Sequence, residues 1–405
     1  MFDGTLIAVE RFCHLWAIVC LESCNARVLT HACADPYTKR RHGIEVDSEY
    51  IMRIAQVSPL YESVPPRYYG GTERVVSYLT DELVRQGHDV TLFASGDSVT
   101  DATLVAVAPR SLRLDDHCVD QLAHHILLLE RVSSMAGQFD VIHFHIDYLH
   151  FPMSRRQAVP HVTTLHGRLD LPDLQPLYRE FDDIPVVSIS DAQRLPLAGA
   201  NWVATVPHGL PIDLYRGHET AGDYLAFIGR ISPEKGVDRA IDIGRRSGLP
   251  LRLAAKVDDV DRQYFDEQIA PLLEQPGIEF VGEIGERDKD DFLGRARALV
   301  FPIDWPEPFG LVMIEAMACG TPVIAFPAGS VPEVLEDEIT GFIVDGVDDA
   351  VQAVERAATI DRRRVRAEFE RRFTAARMAG DYVRLYEQLA AVRPPRRPQK
   401  APARG

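Results

Sequence analysis

The stretch YLAFIGRISPEKGVDRAIDIGRRSGLPLRLAAK, residues 224–256, decides the fold. Its first apolar run, 224–229, predicts a buried strand, and its last, 251–256, predicts another. The segment between them, 236–248, is predicted to be a helix that ends at a glycine cap, Gly248. A strand, a helix and a second strand in succession are the repeating unit of a parallel sheet covered by helices.

The same alternation continues in both directions along the chain. Upstream, strands are predicted at 53–58, 88–94, 140–145, 161–166, 185–190 and 202–209, with a helix at 71–87; downstream, strands are predicted at 278–282, 298–302 and 322–326, and a helix at 371–392. The polar, turn-rich segment 211–222 separates the two series. We therefore predict an α/β protein with two Rossmann-like doubly wound domains, whose ligands bind in a cleft at the carboxyl ends of the strands.

The predicted domains cover most of the chain. Residues 52–213 form the first domain, 214–370 the second, and 371–392 a helix that can pack back on the first. The tail, 393–405, is proline-rich and basic and is predicted to be disordered. Residues 1–51 are interpreted as an extension outside the core, because Met52 opens the first strand pattern like a start residue. A signal peptide and a separate N-terminal arm remain as alternatives for this segment.

Composition excludes several classes of function. The 405 residues carry 44 Lys and Arg against 60 Asp and Glu, a net charge of −16, which argues against nucleic acid as a partner. No apolar run approaches the roughly 18 residues of a transmembrane helix, so no integral membrane segment is expected. Only Cys118 and Cys319 lie beyond residue 33, which indicates a reduced, cytoplasmic protein without a disulfide framework. The chain also lacks a GxGxxG after a strand and a GxxxxGK[ST] motif.

The first candidate ligand site is GRISPEKG, residues 229–236. Arg230 and Lys235 follow the predicted strand and precede the predicted helix. Two cations beside a helix N-terminus can hold a diphosphate, because they neutralise its charge while free N–H groups point at it. Ordinary solvated surface charges are the alternative reading.

The second candidate is EPFGLVMIEAMACGTPVIAF, residues 307–326. Glu307 lies just before a predicted apolar helix, 311–320, and Glu315 lies in its second turn. Two such carboxylates can hold hydroxyl groups at two places on one long ligand, and Gly310 allows that ligand to approach the backbone. A favourable charge at the helix dipole is the simpler alternative, but an apolar buried helix seldom carries an unpaired carboxylate.

Glycines and histidines at other strand ends complete the candidates. Gly70 and Gly71, in YYGGTERVV, join the first strand to the first helix, and a tight turn is the alternative explanation for the pair. His145 and His166 end two neighbouring strands, where we interpret them as hydrogen-bonding ligand contacts. A metal site would need convergent ligands that the spacing does not show, so none is predicted.

Together, GRISPEKG, the 307–326 motif, GSVPEVLEDEITGFIV (329–344) and YYGGTERVV resemble the retaining glycosyltransferase family four, in particular the subgroup that includes an avilamycin-biosynthesis glycosyltransferase. The resemblance runs from about Met52 to about Tyr386. It implies the GT-B fold, with an acceptor-side N-terminal domain and a C-terminal domain that binds a nucleotide-diphosphate sugar.

The resemblance also implies roles for the matching residues. Arg230 and Lys235 would neutralise the donor diphosphate, Glu307 would hold hydroxyls of the donor sugar, and Glu315 would bind the ribose. The implied donor contacts further include Gly70, Gly71, His145, Gly229, Lys256, Phe309, Gly310 and Leu311, with His166 as a possible substrate contact. Lys256 stands where many relatives have a glycine, which puts its role in doubt.

The expected reaction moves a sugar from the nucleotide to an acceptor hydroxyl with retention of anomeric configuration. The resemblance implies same-face attack without a dedicated protein base, and no metal or other cofactor. A nucleotide-sugar 2-epimerase of the same fold and a non-catalytic nucleotide-sugar-binding protein are the alternatives. The sequence leaves the acceptor open, whether small molecule, glycan or lipid.

Overall fold

The computed structural model describes residues 51–391. The expectations for residues 1–50, for residue 392 and for the tail 393–405 lie outside these residues. The described chain contains two parallel sheets, as the alternation of strands and helices predicts. Within it, no helix combines the length and the hydropathy that are needed to cross a membrane.

The first sheet has seven strands in the order β3-β2-β1-β4-β5-β6-β7. Its strands are β1 (Arg53–Val57), β2 (Asp89–Ser95), β3 (Thr103–Ala108), β4 (Val141–Phe144), β5 (His161–Thr164), β6 (Val186–Ser188) and β7 (Trp202–Thr205). The helices of this N-terminal lobe are α1 (Gly71–Arg85), α2 (Gln121–Met135), α3 (Phe151–Ser154), α4 (Leu174–Glu180) and α5 (Asp191–Arg194). β1 is extended by β2 on one side and by β4 on the other, so the crevice between β1 and β4 is the point where the strand order reverses.

The second sheet has six strands in the order β10-β9-β8-β11-β12-β13. Its strands are β8 (Leu225–Arg230), β9 (Leu251–Lys256), β10 (Ile278–Gly282), β11 (Ala298–Phe301), β12 (Val323–Ala325) and β13 (Gly341–Ile343). The helices of this C-terminal lobe are α6 (Val237–Ser247), α7 (Arg262–Tyr264), α8 (Ala270–Leu273), α9 (Glu286–Gly294), α10 (Leu311–Ala318), α11 (Val331–Val334), α12 (Val347–Ala357) and α13 (Arg362–Arg372). The expected fold class is confirmed by these two sheets: an α/β protein with two doubly wound, Rossmann-like domains.

Short irregular helices complete the connections. A π-helical turn, Phe265–Ile269, joins α7 to α8, and 3₁₀ turns lie at Leu112–Leu114, Ala136–Gln138, Leu195–Leu197, Pro233–Lys235 and Asp259–Asp261. The prediction of strand and helix positions missed β3 and β13. β3 lies at the edge of its sheet and is only partly buried, although its residues 104–108 form a continuous apolar run that the prediction overlooked.

The C-terminal helix differs from its prediction. The expected helix 371–392 is two helices, because α13 ends at Arg372 and α14 (Ala375–Ala391) begins three residues later. Between them Phe373 and Ala375 hydrogen-bond with the backbone of Leu210, which draws the chain into a bridge with the segment that links the two lobes. α14 then packs against α1 and β4, so the last helix of the described residues belongs to the core of the N-terminal lobe.

Candidate functional site

A cleft of about 750 Å³ lies between the two sheets. Its lining includes every predicted site residue: Gly70, Gly71, His145, His166, Gly229, Arg230, Lys235, Lys256, Glu307, Phe309, Gly310, Leu311 and Glu315. They meet there because the carboxyl ends of β1, β4, β5, β8 and β9 open toward the same space. The structure therefore brings together residues that are up to 245 positions apart in the sequence (Gly70 to Glu315).

Two helices begin at opposite walls of this cleft. α1 begins at Gly71 in the N-terminal lobe, and α10 begins at Leu311 in the C-terminal lobe. A Cβ atom built on Gly71 would lie only 3.6 Å from Cδ1 of Leu311, so the two helix starts almost touch. The free N–H groups and the positive dipole ends of both helices therefore converge on one place, which suits a negatively charged ligand.

Glycine is needed at the entry to each helix. Gly310 has φ of 75°, and a Cβ there would lie 2.7 Å from Cε of Met313. Gly70 has φ of 159°, at the edge of the region that disfavours side chains, and its Cβ would lie 2.7 Å from Cβ of Pro66. A larger residue at either position would strain the turn that aims the helix start into the cleft.

Lys235 and Glu307 form an ion pair beside these helix starts. Trp305 donates its indole N–H to the same carboxylate oxygen, Oε2 of Glu307, at 2.9 Å, and the Lys235 ammonium lies 4.8 Å from the Trp305 ring centre. The loop that follows is held from both lobes: Ser190 donates to the carbonyl of Pro308 at 2.6 Å, and Ser330 donates to that of Phe309 at 2.9 Å. These bonds fix the backbone that leads into α10.

Arg230 ends β8 and lies among three carboxylates, those of Glu234, Asp258 and Asp261. Burial alone would lower its pKa, but the charges of Asp261 and Glu234 outweigh that effect and raise it. Lys256 is the neighbour of Arg230 in the sheet register and pairs with Asp258 at 2.8 Å. The acidic residues after β9 thus pair with the two cations.

Glu315 is 3% exposed and receives a hydrogen bond from Nζ of Lys289 at 2.7 Å. Lys289 lies on α9 and also faces Glu286, which in turn pairs with Arg74 from α1. Burial raises the pKa of Glu286 to about 7; the neighbouring Glu315 adds to the rise, and Lys289 opposes it. This chain of charges connects the predicted ribose carboxylate with the opposite lobe.

Sequence reasoning missed Lys289, Glu286 and Arg74. Lys289 sits in the polar run ERDKDD, which is typical of a solvated helix start, and its partner comes from a motif 26 residues away. One signal was present: Lys289 precedes Leu293 by four residues, so both lie on the buried face of α9.

The histidines form a hydrogen-bonded chain in the N-terminal lobe. Gln56 donates from Nε2 to the Tyr386 hydroxyl and accepts at Oε1 from Nε2 of His145, 2.8 Å away. Burial holds the pKa of His145 well below its usual range, so the ring is neutral and Nδ1 is an acceptor. His166 therefore donates from Nε2 to that atom, over 2.9 Å.

This chain leaves one ring nitrogen of His166 buried and without a partner in the described part of the protein. Burial lowers the pKa of His166 to about 3, so its Nδ1 is an unprotonated acceptor, and it has no hydrogen-bond partner among residues 51–391. His208 stacks on His166 with ring centres 5.2 Å apart. His145 is only 2% exposed and uses both ring nitrogens within the protein, so it lies behind His166 and orients it.

One group of possible metal ligands occurs in the described part of the chain, formed by His218, Asp290 and Asp291. It lies outside the cleft lining. Arg216 already pairs with both aspartates, at 2.7 and 3.6 Å. The Arg216 side chain therefore already pairs with the carboxylates that a metal ion would need.

Comparison with known proteins places these features in a family. Residues 69–214 match the model "Glycosyltransferase Family 4", and residues 216–372 match "Glycosyl transferases group 1". A solved glycosyltransferase involved in avilamycin A biosynthesis superposes with a TM-score of 0.66 at 25% identity, over 84% of this chain and 99% of that chain.

Two curated relatives match over most of their length. The D-inositol 3-phosphate glycosyltransferase of Mycolicibacterium smegmatis is 28% identical, over 83% of this chain and 90% of the relative. The phosphatidyl-myo-inositol mannosyltransferase of Mycobacterium leprae is also 28% identical, over 84% of this chain and 97% of the relative. The two matched domain models, the paired Rossmann-like sheets and these relatives show that the chain is an enzyme of the family-four glycosyltransferases, with the GT-B fold.

Proposed function

We propose that this enzyme transfers a sugar from a nucleotide-diphosphate sugar to an acceptor hydroxyl, with retention of anomeric configuration. The observation that carries the proposal is the convergence of the α1 and α10 starts, beside Arg230 and Lys235, at the centre of one cleft. Two helix N-termini and two cations form a receptacle for a diphosphate, and breaking the bond between sugar and phosphate develops negative charge at that place.

Hydrogen-bond acceptors for the ribose and for the sugar of the donor lie in the same cleft. Glu315, held by Lys289, can accept hydrogen bonds from vicinal ribose hydroxyls. Glu307 can accept them from the sugar, because Lys235 and Trp305 bind only its Oε2. His166 lines the same cleft and is proposed as a further contact to the sugar.

The same geometry suits a reaction without a metal ion. Arg230 and Lys235 supply the positive charge that a cation would otherwise bring to the leaving diphosphate. No protein base is assigned. A phosphate oxygen of the leaving group lies on the face from which it departs, and it can take the acceptor's proton during attack from that face.

The first test is a thermal-shift panel of the full chain with UDP, GDP, ADP and dTDP and their common sugar conjugates. A ligand at a hundred times its dissociation constant adds about 2.7 kcal/mol of stability. We expect one nucleotide family to stabilise the protein, and Glu315→Gln to lose that shift. An equal shift with all nucleotides, or none from folded protein, would refute the proposed donor site.

Turnover separates transfer from other chemistry. Nucleoside diphosphate release should depend on an acceptor, whereas conversion of the donor without acceptor would indicate an epimerase. Early ¹H NMR spectra of the product reveal its anomeric configuration. An inverted product would refute the retaining mechanism and leave the donor assignment intact.

A further inference from the structure

The N-terminal lobe contributes the cleft wall that faces the proposed donor site. We call this surface the acceptor wall, and it comprises the cleft-lining residues among 59–74, Arg113, 145–149 and Arg168. Its charged side chains, their ion pairs and its aromatic side chains indicate which kind of acceptor can bind there. The inference below rests on the proposed function and concerns the chemical class of the acceptor.

Each cation of the acceptor wall is paired with a carboxylate. Arg113 binds Glu62 at 2.9 Å, and Arg168 binds Asp170 through two hydrogen bonds, at 2.7 and 2.8 Å. Arg74 pairs with Glu286 across the cleft. These arginines each have a carboxylate partner already, as Arg230 and Lys235 of the proposed diphosphate site also do, so within the described chain the wall is set apart by its unpaired carboxylates.

Two carboxylates of the same wall have no ion-pair partner in the described chain. Glu73 lies in the first turn of α1 and is 5% exposed, while Asp147 follows β4 and opens to the cleft. The surrounding protein raises the pKa of Asp147 to about 6, so the group is mainly ionised at pH 7.5. Burial raises the pKa of Glu73 as well, so the excess negative charge of the wall at this pH is assigned to Asp147.

Aromatic side chains line the same wall. Tyr61, Tyr68, Tyr69 and Tyr148 all line the cleft, and their exposed fractions are 37%, 52%, 45% and 38%. Tyrosine offers a flat apolar face together with a hydroxyl, which suits the mixed surface of a sugar ring. Elsewhere in the cleft lining, the buried Nδ1 of His208 has no hydrogen-bond partner among the described residues.

We propose that the acceptor is a hydroxylated glycoside or polyol without a phosphate group. Glu73 and Asp147 accept hydrogen bonds from its hydroxyls, and the tyrosines cover its ring faces. A phosphorylated acceptor would bring a further negative charge against the unpaired Asp147 carboxylate. This separates the enzyme from its relative that is named for D-inositol 3-phosphate.

A phosphate cannot readily recruit Arg113 instead. Glu62 has 7% of its side chain exposed, and Arg113 is the cation that compensates it. Drawing Arg113 away would leave a buried charge without a partner, which is strongly unfavourable. Arg168 is more exposed, but its guanidinium group already donates two hydrogen bonds to the carboxylate of Asp170.

The test compares matched pairs of acceptors on the full chain, saturated with whichever of UDP or GDP stabilises it. The pairs are glucose and glucose 6-phosphate, trehalose and trehalose 6-phosphate, and myo-inositol and myo-inositol 3-phosphate. Titrations by saturation-transfer NMR give the dissociation constants. We expect the unphosphorylated member to bind at least tenfold more tightly in at least one pair, with the reverse in none.

A phosphorylated member that binds more tightly, or no binding of any unphosphorylated member, would overturn the inference. Neither outcome argues against the donor site, which is tested separately by the thermal stabilisation of the protein with nucleotides. Absence of that shift would instead remove the proposed function on which the inference rests.

A charge-changing variant tests the assignment to Asp147. This residue has φ of 51°, a conformation that asparagine tolerates well, so Asp147→Asn should fold. We expect it to reduce the preference for the unphosphorylated member at least threefold. Glu338→Asn is the matched control, because Glu338 has φ of 63° and lies outside the cleft lining. An equal change in both variants would refute a local role for Asp147.

Discussion

Lys289 places its ammonium group 2.7 Å from Oε1 of Glu315, and the two side chains are 11% and 3% exposed. The pair joins α9 to α10 inside the C-terminal lobe. Removing one member leaves the other charge buried and uncompensated. The proposed ribose-binding carboxylate therefore depends on a lysine of the neighbouring helix α9, which also faces Glu286.

This pair predicts a specific pattern of stability. Lys289→Met should lower the free energy of unfolding by about 3–5 kcal/mol, whereas the double variant Lys289→Met/Glu315→Gln should recover part of that loss. Urea unfolding of four proteins, the parent, Lys289→Met, Glu315→Gln and the double variant, measures the coupling. A double variant as unstable as the sum of its single variants would show that the two groups act independently.

The proposed diphosphate site predicts a large effect on turnover. Arg230→Ala and Lys235→Ala should each lower kcat by about 10²–10³, because each removes a charge that stabilises the departing diphosphate. Steady-state kinetics with the identified donor measure this. Arg245→Ala is the control, since Arg245 is 58% exposed and pairs only with Asp242 on its own helix. A comparable loss of kcat in the control would show that the overall charge of the protein, and not the diphosphate site, causes the effect.

The buried histidine predicts a dependence of stability on pH. The pKa of His166 falls from 6.5 to about 3 on folding, so the unfolded chain binds more protons between those values. Its contribution to stability is present above pH 6.5 and is lost as the pH falls toward 3. His166→Gln should therefore reduce the slope of unfolding free energy against pH between 6 and 4 by about 1.4 kcal/mol per pH unit. Equal slopes in both proteins would contradict the neutral, buried ring.

Removal of the Tyr386 hydroxyl is expected to affect both the stability of the protein and its KM for the donor. Tyr386→Phe leaves Nε2 of Gln56 and Nδ1 of His143 without their partner, which should cost about 1–3 kcal/mol. It also frees the Gln56 amide that sets the tautomers of His145 and His166, so the KM for donor should rise. Tyr382→Phe is the matched control, because Tyr382 binds Thr164 and not Gln56. The same rise in KM from both variants would argue against a role for the hydrogen-bonded chain that runs from Tyr386 through Gln56 to His145 and His166.

Much of the architecture was predictable because each lobe repeats one local unit. Apolar runs mark the central strands, and the motifs at 229–236 and 307–326 lie at strand ends, so the topology alone brings Arg230, Lys235 and Glu307 into one cleft. These signals depend on residues close in sequence. The prediction of the fold from them is confirmed by the two parallel sheets.

What the sequence concealed depends on partners far apart in the chain. Nothing near Lys289 indicates that its charge meets Glu315, and nothing near His145 indicates that His166 stands in front of it. The break before α14 was hidden for the same reason, because its cause is a backbone bridge to Leu210. Long-range pairing of this kind leaves the local pattern of apolar and polar residues unchanged.

The position of Tyr386 on the final helix has a consequence for how the enzyme comes into being. A ribosome adds this residue among the last of the described chain, yet its hydroxyl fixes Gln56 on the first strand. A nascent chain that already contains the whole cleft therefore still lacks the group that orients its histidines. Orientation of the histidines therefore waits until the last described helix has been made and has packed against the first strand.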